Sequence, residues 1–320
     1  MTTPILAIHG GAGTITRTAM SADKEAAYQQ ALHDILAAGQ RILVDGGSAV
    51  DAVTEAVRLL EECPLFNAGK GAVLTSAGTY ELDASIMDGA TLAAGAVTCV
   101  KRLRNPILAA RAVMERSEHV LFTSEGAEAF AQAQGLEFVE PDYYYTEARY
   151  AQWQRARQQD GMALLDHDAA SLMAKEAAPI DPDNKFGTVG AVAFDAQGRL
   201  AAATSTGGVT NKKVGRVGDT PIVGAGCFAN NVAAVSCTGT GEMFIRAVAA
   251  YDIAAQMEYA GKSLADASND VVMRKLMAIS GRGGLIAVDA QGNVALPFNT
   301  EGMYRGFARG AQAPVVSIYR

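Results

Sequence analysis

Phe186, Gly187, Thr188, Val189, Gly190, Ala191, Val192, Ala193, Phe194 is the stretch on which the reading of this chain turns. It sets a Gly-Thr bond at the head of an apolar run deep inside the polypeptide. A β-branched residue that opens a strand is ordinary, because strands favour it for packing. A break between Gly187 and Thr188 changes its chemistry. Thr188 would then carry a free α-amino group, with an ordinary pKa of about 7.7 to 8.0, beside its own hydroxyl. One residue would supply nucleophile and base, with no separate histidine.

Downstream, residues 188–194 and 199–204 read as strands joined by Asp195, Ala196, Gln197, Gly198. The pattern returns at 285–288 and 294–298 around Asp289, Ala290, Gln291, Gly292. Two such hairpins predict paired antiparallel sheets. Residues 242–257 and 265–277 read as helices. Upstream, residues 160–185 are rich in Asp, Ala and Pro without sustained periodicity. They predict a mobile linker, about 160–187, the natural place for a covalent break.

The first half opens with a strand over 5–8 that runs into His9, Gly10, Gly11, Ala12, Gly13, then a helix that Ser21 can cap. After Asp45, Gly46, Gly47, Ser48, the apolar residues Val50, Val53, Val57 and Leu60 recur at three- and four-residue steps, a helix with one buried face that stops at Cys63-Pro64. Two strand-like runs over 81–100 flank Asp88-Gly89, a dipeptide suited to the positive φ of a hairpin turn. Alanine-rich helical sequence then covers about 106–158. Hairpins and helices in this order predict an α+β layered sandwich, with two sheets face to face and helices outside.

The chain has 320 residues, 49% hydrophobic and 19% charged, enough for a large core. Its 27 basic and 34 acidic side chains leave a net charge of −7, which argues against a nucleic-acid partner. The start lacks the basic and long apolar regions of an export signal, and no apolar run approaches the ~18 residues of a membrane span. Cys63, Cys99, Cys227 and Cys237 are scattered, as are His9, His33, His119 and His167. They read as reduced thiols and isolated imidazoles of a cytoplasmic protein, not as a transition-metal set.

Three polar, glycine-rich segments follow Thr188, each after a hydrophobic run: Thr204 to Gly208, Gly215 to Asp219, and Ser236 to Glu242. Each is a turn in the plain reading. Small hydroxyl residues beside glycines are also what holds a developing oxyanion. Arg216 and Asp219 offer opposite charges, either an ordinary surface pair or a grip for a zwitterionic head group. His9 to Gly13 and Thr238 to Gly241 both lack the spacing of nucleotide-binding loops, and no Gly-x-Ser-x-Gly elbow occurs.

HGGAG from His9, NAGKGAV from Asn67, ELDASIMDG from Glu81, GTVGAV from Gly187, TSTGG from Thr204, GRVGD from Gly215 and SCTGTGE from Ser236 together resemble the plant-type L-asparaginases, also called isoaspartyl peptidases, which are N-terminal nucleophile hydrolases. The likeness covers nearly the whole chain and is weak only in the linker. It implies a single-domain αββα sandwich, made as a precursor that cuts itself into an α subunit, 1–187, and a β subunit, 188–320. Thr188 would attack the side-chain amide of L-asparagine or the β-linkage of an isoaspartyl dipeptide. Thr206 would orient it, Thr238 and Gly239 would hold the oxyanion, and Asn67 would lie near the nucleophile. Arg216 would take the substrate α-carboxylate and Asp219 its α-ammonium, with Gly241 close by.

The resemblance further implies no catalytic cofactor, but a structural sodium ion on the main-chain carbonyls of Leu60, Glu61, Cys63, Phe66, Ala68 and Lys70. It implies an (αβ)₂ assembly of two processed precursors. Phe186, the linker length and Arg282 are where the chain is expected to be individual. The nearest alternative is a glycosylasparaginase, against which the missing leader argues. From another class, the glycine loops would serve a nucleotide-binding or interaction module without catalysis.

Overall fold

The computed structural model describes residues 2–158 and 187–320. The expected linker, Phe186 included, lies outside the described residues except for Gly187.

Strand β1 (Ile5–Gly13) leads to helix α1 (Ala22–Val44), whose start is set by the Ser21 hydroxyl accepting the Lys24 N–H. Ser48 caps α2 (Ala49–Glu62) in the same way through the Asp51 N–H. That helix ends where Cys63, the residue before Pro64, turns extended. Strands β2 (Leu82–Asp88) and β3 (Ala94–Val100) pair antiparallel as expected. Their turn corrects the sequence reading, because the positive φ falls on Leu92, at +61°, and not on Gly89. Contact, not conformation, demands that glycine: a Cβ there would stand 2.5 Å from the Asn230 carbonyl oxygen.

The stretch read as helical over 106–158 contains α3 (Pro106–Arg116), strand β4 (Leu121–Thr123), α4 (Ser124–Ala133) and α5 (Glu147–Gln158). Three residues are too few to show a period, so β4 was not legible. Strands β5 (Val189–Phe194) and β6 (Leu200–Thr206) form the first predicted hairpin. After them come β7 (Cys227–Ala229) and β8 (Ala233–Gly239). The single helix expected over 242–257 is two, α6 (Gly241–Ala247) and α7 (Ala249–Ala260), broken at Val248, which takes φ +48°. Helix α8 (Leu264–Asn269) continues into a π-helical turn over Asp270–Lys275. Strands β9 (Gly283–Asp289) and β10 (Val294–Ala295) are the second hairpin, and β11 (Gly302–Arg309) and β12 (Val315–Tyr319) close the chain.

The two predicted hairpin turns share one mechanism. Asp195 Oδ1 accepts the N–H groups of Gln197 and Arg199, and Gly198 takes φ +82°. Asp289 Oδ1 does the same for Gln291 and Asn293, with Gly292 at +81°. An Asp that bonds the backbone ahead of it, then a glycine free to adopt positive φ, is a complete local instruction.

One sheet runs β12-β11-β1-β5-β6-β2-β3-β4 and the other β10-β9-β8-β7, with β3–β4 the one parallel pair among these strands. Helices α1 to α3 cover the larger sheet through a core that includes Leu6, Ile8, Val53, Val57 and Ala191. Ile5, Ala7, Val192, Phe194, Ile286 and Val288 pack between the sheets. Helices α7 and α8 cover the smaller sheet over Ile253, Leu264, Val235 and Leu285. These are the four layers of an αββα sandwich. Successive residues of β1 and β5 enter different cores, which is why both strands read as unbroken apolar runs.

Candidate active site

Register builds the first part of the site. Val189 pairs with Ser205 and Gly190 with Thr204, so the next residue outward, Thr188, comes beside Thr206. The Thr188 hydroxyl donates to Thr206 Oγ1 at 3.2 Å and lies 3.5 Å from Thr220 Oγ1. Thr206 Oγ1 also accepts the Gly208 N–H at 2.9 Å, which holds it in place. Thr188 is 8% exposed, at the floor of a cleft also lined by Gly187, Arg216, Asp219, Thr220 and Gly239. Two strand ends and two loops therefore converge on one hydroxyl.

Asn67 reaches this centre through the turn after Thr206. Its Nδ2 donates to the Gly208 carbonyl at 2.7 Å, and its Oδ1 accepts the Val73 N–H at 3.0 Å. Gly11, at φ +107°, lies under the residue that precedes the nucleophile: a Cβ there would stand 2.6 Å from Gly187 N and 2.7 Å from Gly187 Cα. Gly11 thus gives the Gly187 backbone its seat, while Gly10 makes room for the Phe66 ring. Along the same inner face, His9 Nε2 bonds Ser236 Oγ at 2.9 Å, and Ser236 Oγ lies 2.8 Å from Thr204 Oγ1. Burial pushes the His9 imidazole down to about 3, with the nearby Thr188 backbone opposing, so the ring is neutral and structural.

Thr238 and Gly239 end β8. Thr238 is fully buried, yet its Oγ1 has no hydrogen-bond partner among the described residues. An idle buried hydroxyl costs about 1–3 kcal/mol, which makes it notable beside a cleft. Gly239 takes φ +151°, and any side chain there would overlap the Arg282 carbonyl.

The charged part of the cleft is arranged in a way the sequence did not reveal. Arg216 is not bonded to Asp219. Its Nε and Nη2 donate to the two carboxylate oxygens of Glu242 at 2.8 and 2.9 Å. Asp219 is buried, with Oδ2 unpartnered among the described residues, and burial raises its carboxyl to about 7 although Arg216 pulls the other way. Gly241 keeps the space between them open, since a Cβ there would lie 3.0 Å from both Arg216 Nη2 and Asp219 Oδ1. Behind the Gly207–Gly208 turn, the buried Lys212 donates to the Glu81 carbonyl at 2.7 Å, and burial lowers its pKa. Glu242 lies inside a quoted motif, Thr220 directly after one, and Lys212 in the stretch between two. Nothing in their spacing told them from ordinary loop residues.

The loop after α2 is folded onto its own carbonyls. Gly69 takes φ +49° and Gly71 +101°; a side chain on the first would overlap Glu61 O, and on the second would stand 2.8 Å from Phe66 O. Glu61 O accepts the Lys70 N–H and Cys63 O the Phe66 N–H, each keeping a second lone pair. Clustered carbonyl oxygens suit a hard cation. Among the described residues no group of His, Cys, Asp and Glu side chains is placed to hold a metal.

A family model described as Asparaginase matches residues 2–318. The chain is 61% identical over 321 residues to the isoaspartyl peptidase of Salmonella typhimurium, covering 100% of both chains. It is 60% identical over 317 residues to the isoaspartyl peptidase of Escherichia coli, covering 99% of this chain and 96% of that one. To the plant-type L-asparaginase of Thermococcus kodakarensis it is 42% identical over 318 residues, covering 97% and 98%.

Proposed function

The chain belongs to the asparaginase family, and on that premise we propose that it hydrolyses L-asparagine and β-aspartyl dipeptides with Thr188 as nucleophile. The observation that carries this reading is the Thr188 hydroxyl, bonded to Thr206 on the floor of a cleft that also holds Arg216 and Asp219. The isoaspartyl peptidase and L-asparaginase names of its relatives support it. No observation favours a glycosylated substrate.

The precursor is cut first. Thr188 Oγ1 attacks the Gly187 carbonyl carbon, the peptide C–N bond breaks, and the resulting ester is hydrolysed by water. This yields an α chain, 1–187, and a β chain, 188–320, with a free α-amino group. In turnover that amine takes the hydroxyl proton as Oγ1 attacks the side-chain carbonyl of the substrate. Thr238 Oγ1 and the Gly239 N–H receive the oxyanion, each donor contributing roughly 3 kcal/mol. Collapse expels ammonia or the amine of the second residue, which takes up the proton. Water, deprotonated by the same amine, then hydrolyses the β-aspartyl ester to aspartate. Arg216 and Asp219 hold the α-carboxylate and α-ammonium, and the cycle uses no cofactor.

A structural sodium ion on the main-chain oxygens of Leu60, Glu61, Cys63, Phe66, Ala68 and Lys70 would brace the loop that carries Asn67. Two processed chains pair as (αβ)₂, and the cytoplasm is the compartment. The four cysteines are free, and no helix among the described residues is long and apolar enough to cross a membrane.

Mass measurement of the purified protein tests the reading. Two chains, one ending at Gly187 and one starting at Thr188, with aspartate released from both substrate types, are expected. An active continuous 320-residue chain would overturn it.

The raised carboxyl of Asp219 has a visible consequence. Below about pH 7 the free enzyme loses its ammonium acceptor, while the Thr188 amine, ordinarily near 7.7 to 8.0, protonates in the same range. The acid limb of log kcat/KM should therefore approach a slope of two, and Asp219→Asn should reduce it to one while raising KM. Stability follows the opposite sign. The folded state keeps this proton up to about 7 and the unfolded chain releases it near 3.8, so stability is lost as pH rises between them. Asp219→Asn should melt higher than wild type at pH 8.

A further inference from the structure

We propose that Glu242 is the positioning residue that assigns the edges of the Arg216 guanidinium, taking the Nε–Nη2 side so that the Nη1–Nη2 end is presented to the substrate α-carboxylate. The inference rests on the reading of function above and adds a residue which that reading does not use.

A guanidinium offers two bidentate edges, one along its side and one at its tip. The side edge is taken, because both Glu242 oxygens accept from it at 2.8 and 2.9 Å. The tip faces glycines. A Cβ on Gly218 would stand 2.9 Å from Nη1, and one on Gly241 would stand 3.0 Å from Nη2. Both positions therefore leave the tip uncovered, on the side where Asp219 and Thr188 line the cleft. Arg216 otherwise hangs from a loop with Gly215 at φ +82° and Gly218 two residues on. A four-torsion side chain on such a loop has many orientations, and the Glu242 fork selects one of them before substrate arrives.

Glu242 sits in the first turn of α6 and its side chain is 48% exposed, against 17% for Arg216. A pair that open to water adds little to stability, so its loss is read in binding and not in folding. Glu242 also adds negative charge beside Asp219, which raises that carboxyl's pKa in addition to burial. Arg216 thus bridges two carboxylates in the complex, one resident and one belonging to the substrate.

Steady-state kinetics of Glu242→Ala and Glu242→Gln with L-asparagine and a β-aspartyl dipeptide test this. Glu242→Ala should raise KM about tenfold with kcat little changed, the pattern of lost binding that is uniform between ground and transition states. Glu242→Gln, which keeps one acceptor oxygen, should fall between it and wild type. On an Arg216→Ala background the Glu242→Ala change should add nothing further, and both Glu242 variants should still cut at Thr188. A KM within twofold of wild type overturns the proposal. A lower KM also overturns it, since Glu242 would then compete with the substrate. Loss of self-cleavage in both variants overturns it too, by making the role structural. Wild-type protein inactive on both substrates would instead overturn the reading of function.

Discussion

Thr188→Ala is expected to leave the chain as one uncut polypeptide and to lower asparagine turnover by about 10⁴-fold or more, the scale on which loss of a nucleophile is felt. The change removes the atom that attacks first in both reactions, so self-cleavage and turnover fall together. Folding should survive. The hydroxyl bonds Thr206 at 3.2 Å and meets Thr220 only at the long distance of 3.5 Å, and the residue lies at the mouth of β5, ahead of the apolar run that packs. A denaturing gel and a circular dichroism spectrum separate the two properties. Thr188→Ser should retain both activities at reduced rate, because serine lacks the methyl group that restricts χ1 and keeps the oxygen aimed. A cut or fully active Thr188→Ala protein would leave the proposed mechanism without its nucleophile, and indifference to the change would favour a binding module.

Thr238→Val should lower kcat about 10²- to 10³-fold, the cost of one oxyanion donor, while the protein becomes no less stable to heat. The two expectations come from one fact: Thr238 Oγ1 is buried without a partner. A buried hydroxyl without a partner among the described residues costs about 1–3 kcal/mol. In the tetrahedral intermediate it is the proposed donor to the oxyanion. Valine keeps the shape and removes the polar atom, so activity and melting temperature should move apart. If both fall together, Thr238 is a packing residue and the oxyanion must be held elsewhere.

Much of the molecule was legible because its signals are local. Ser21 and Ser48 cap the helices they precede, and Asp195 and Asp289 each close a turn with groups two and four residues away. Such interactions need no third element. Strands β7, β8, β11 and β12 were not legible, because β8 is buried on both sides and shows no alternation, while β7 is three residues long. The break at Val248 was missed because φ +48° is a left-handed conformation that a β-branched residue rarely adopts, so nothing in the sequence marks it. Gly89 was assigned the wrong duty, since what a Cβ there would meet, at 2.5 Å, is the carbonyl oxygen of Asn230, 141 residues further along the chain.

From residue order alone came the chemical type of the nucleophile, the glycine before it, the hairpins on which it stands and the motif set that implied the family, all of them readable within short windows. Tertiary structure decided what those groups are bonded to. It placed Thr206 on Thr188, turned Asn67 onto the Gly208 carbonyl, gave Arg216 to Glu242 and left Asp219 and Thr238 with unpartnered oxygens. Hydrogen-bond partners and burial depend on which distant segments meet, and that is set by the packing of two sheets, beyond the reach of any local pattern.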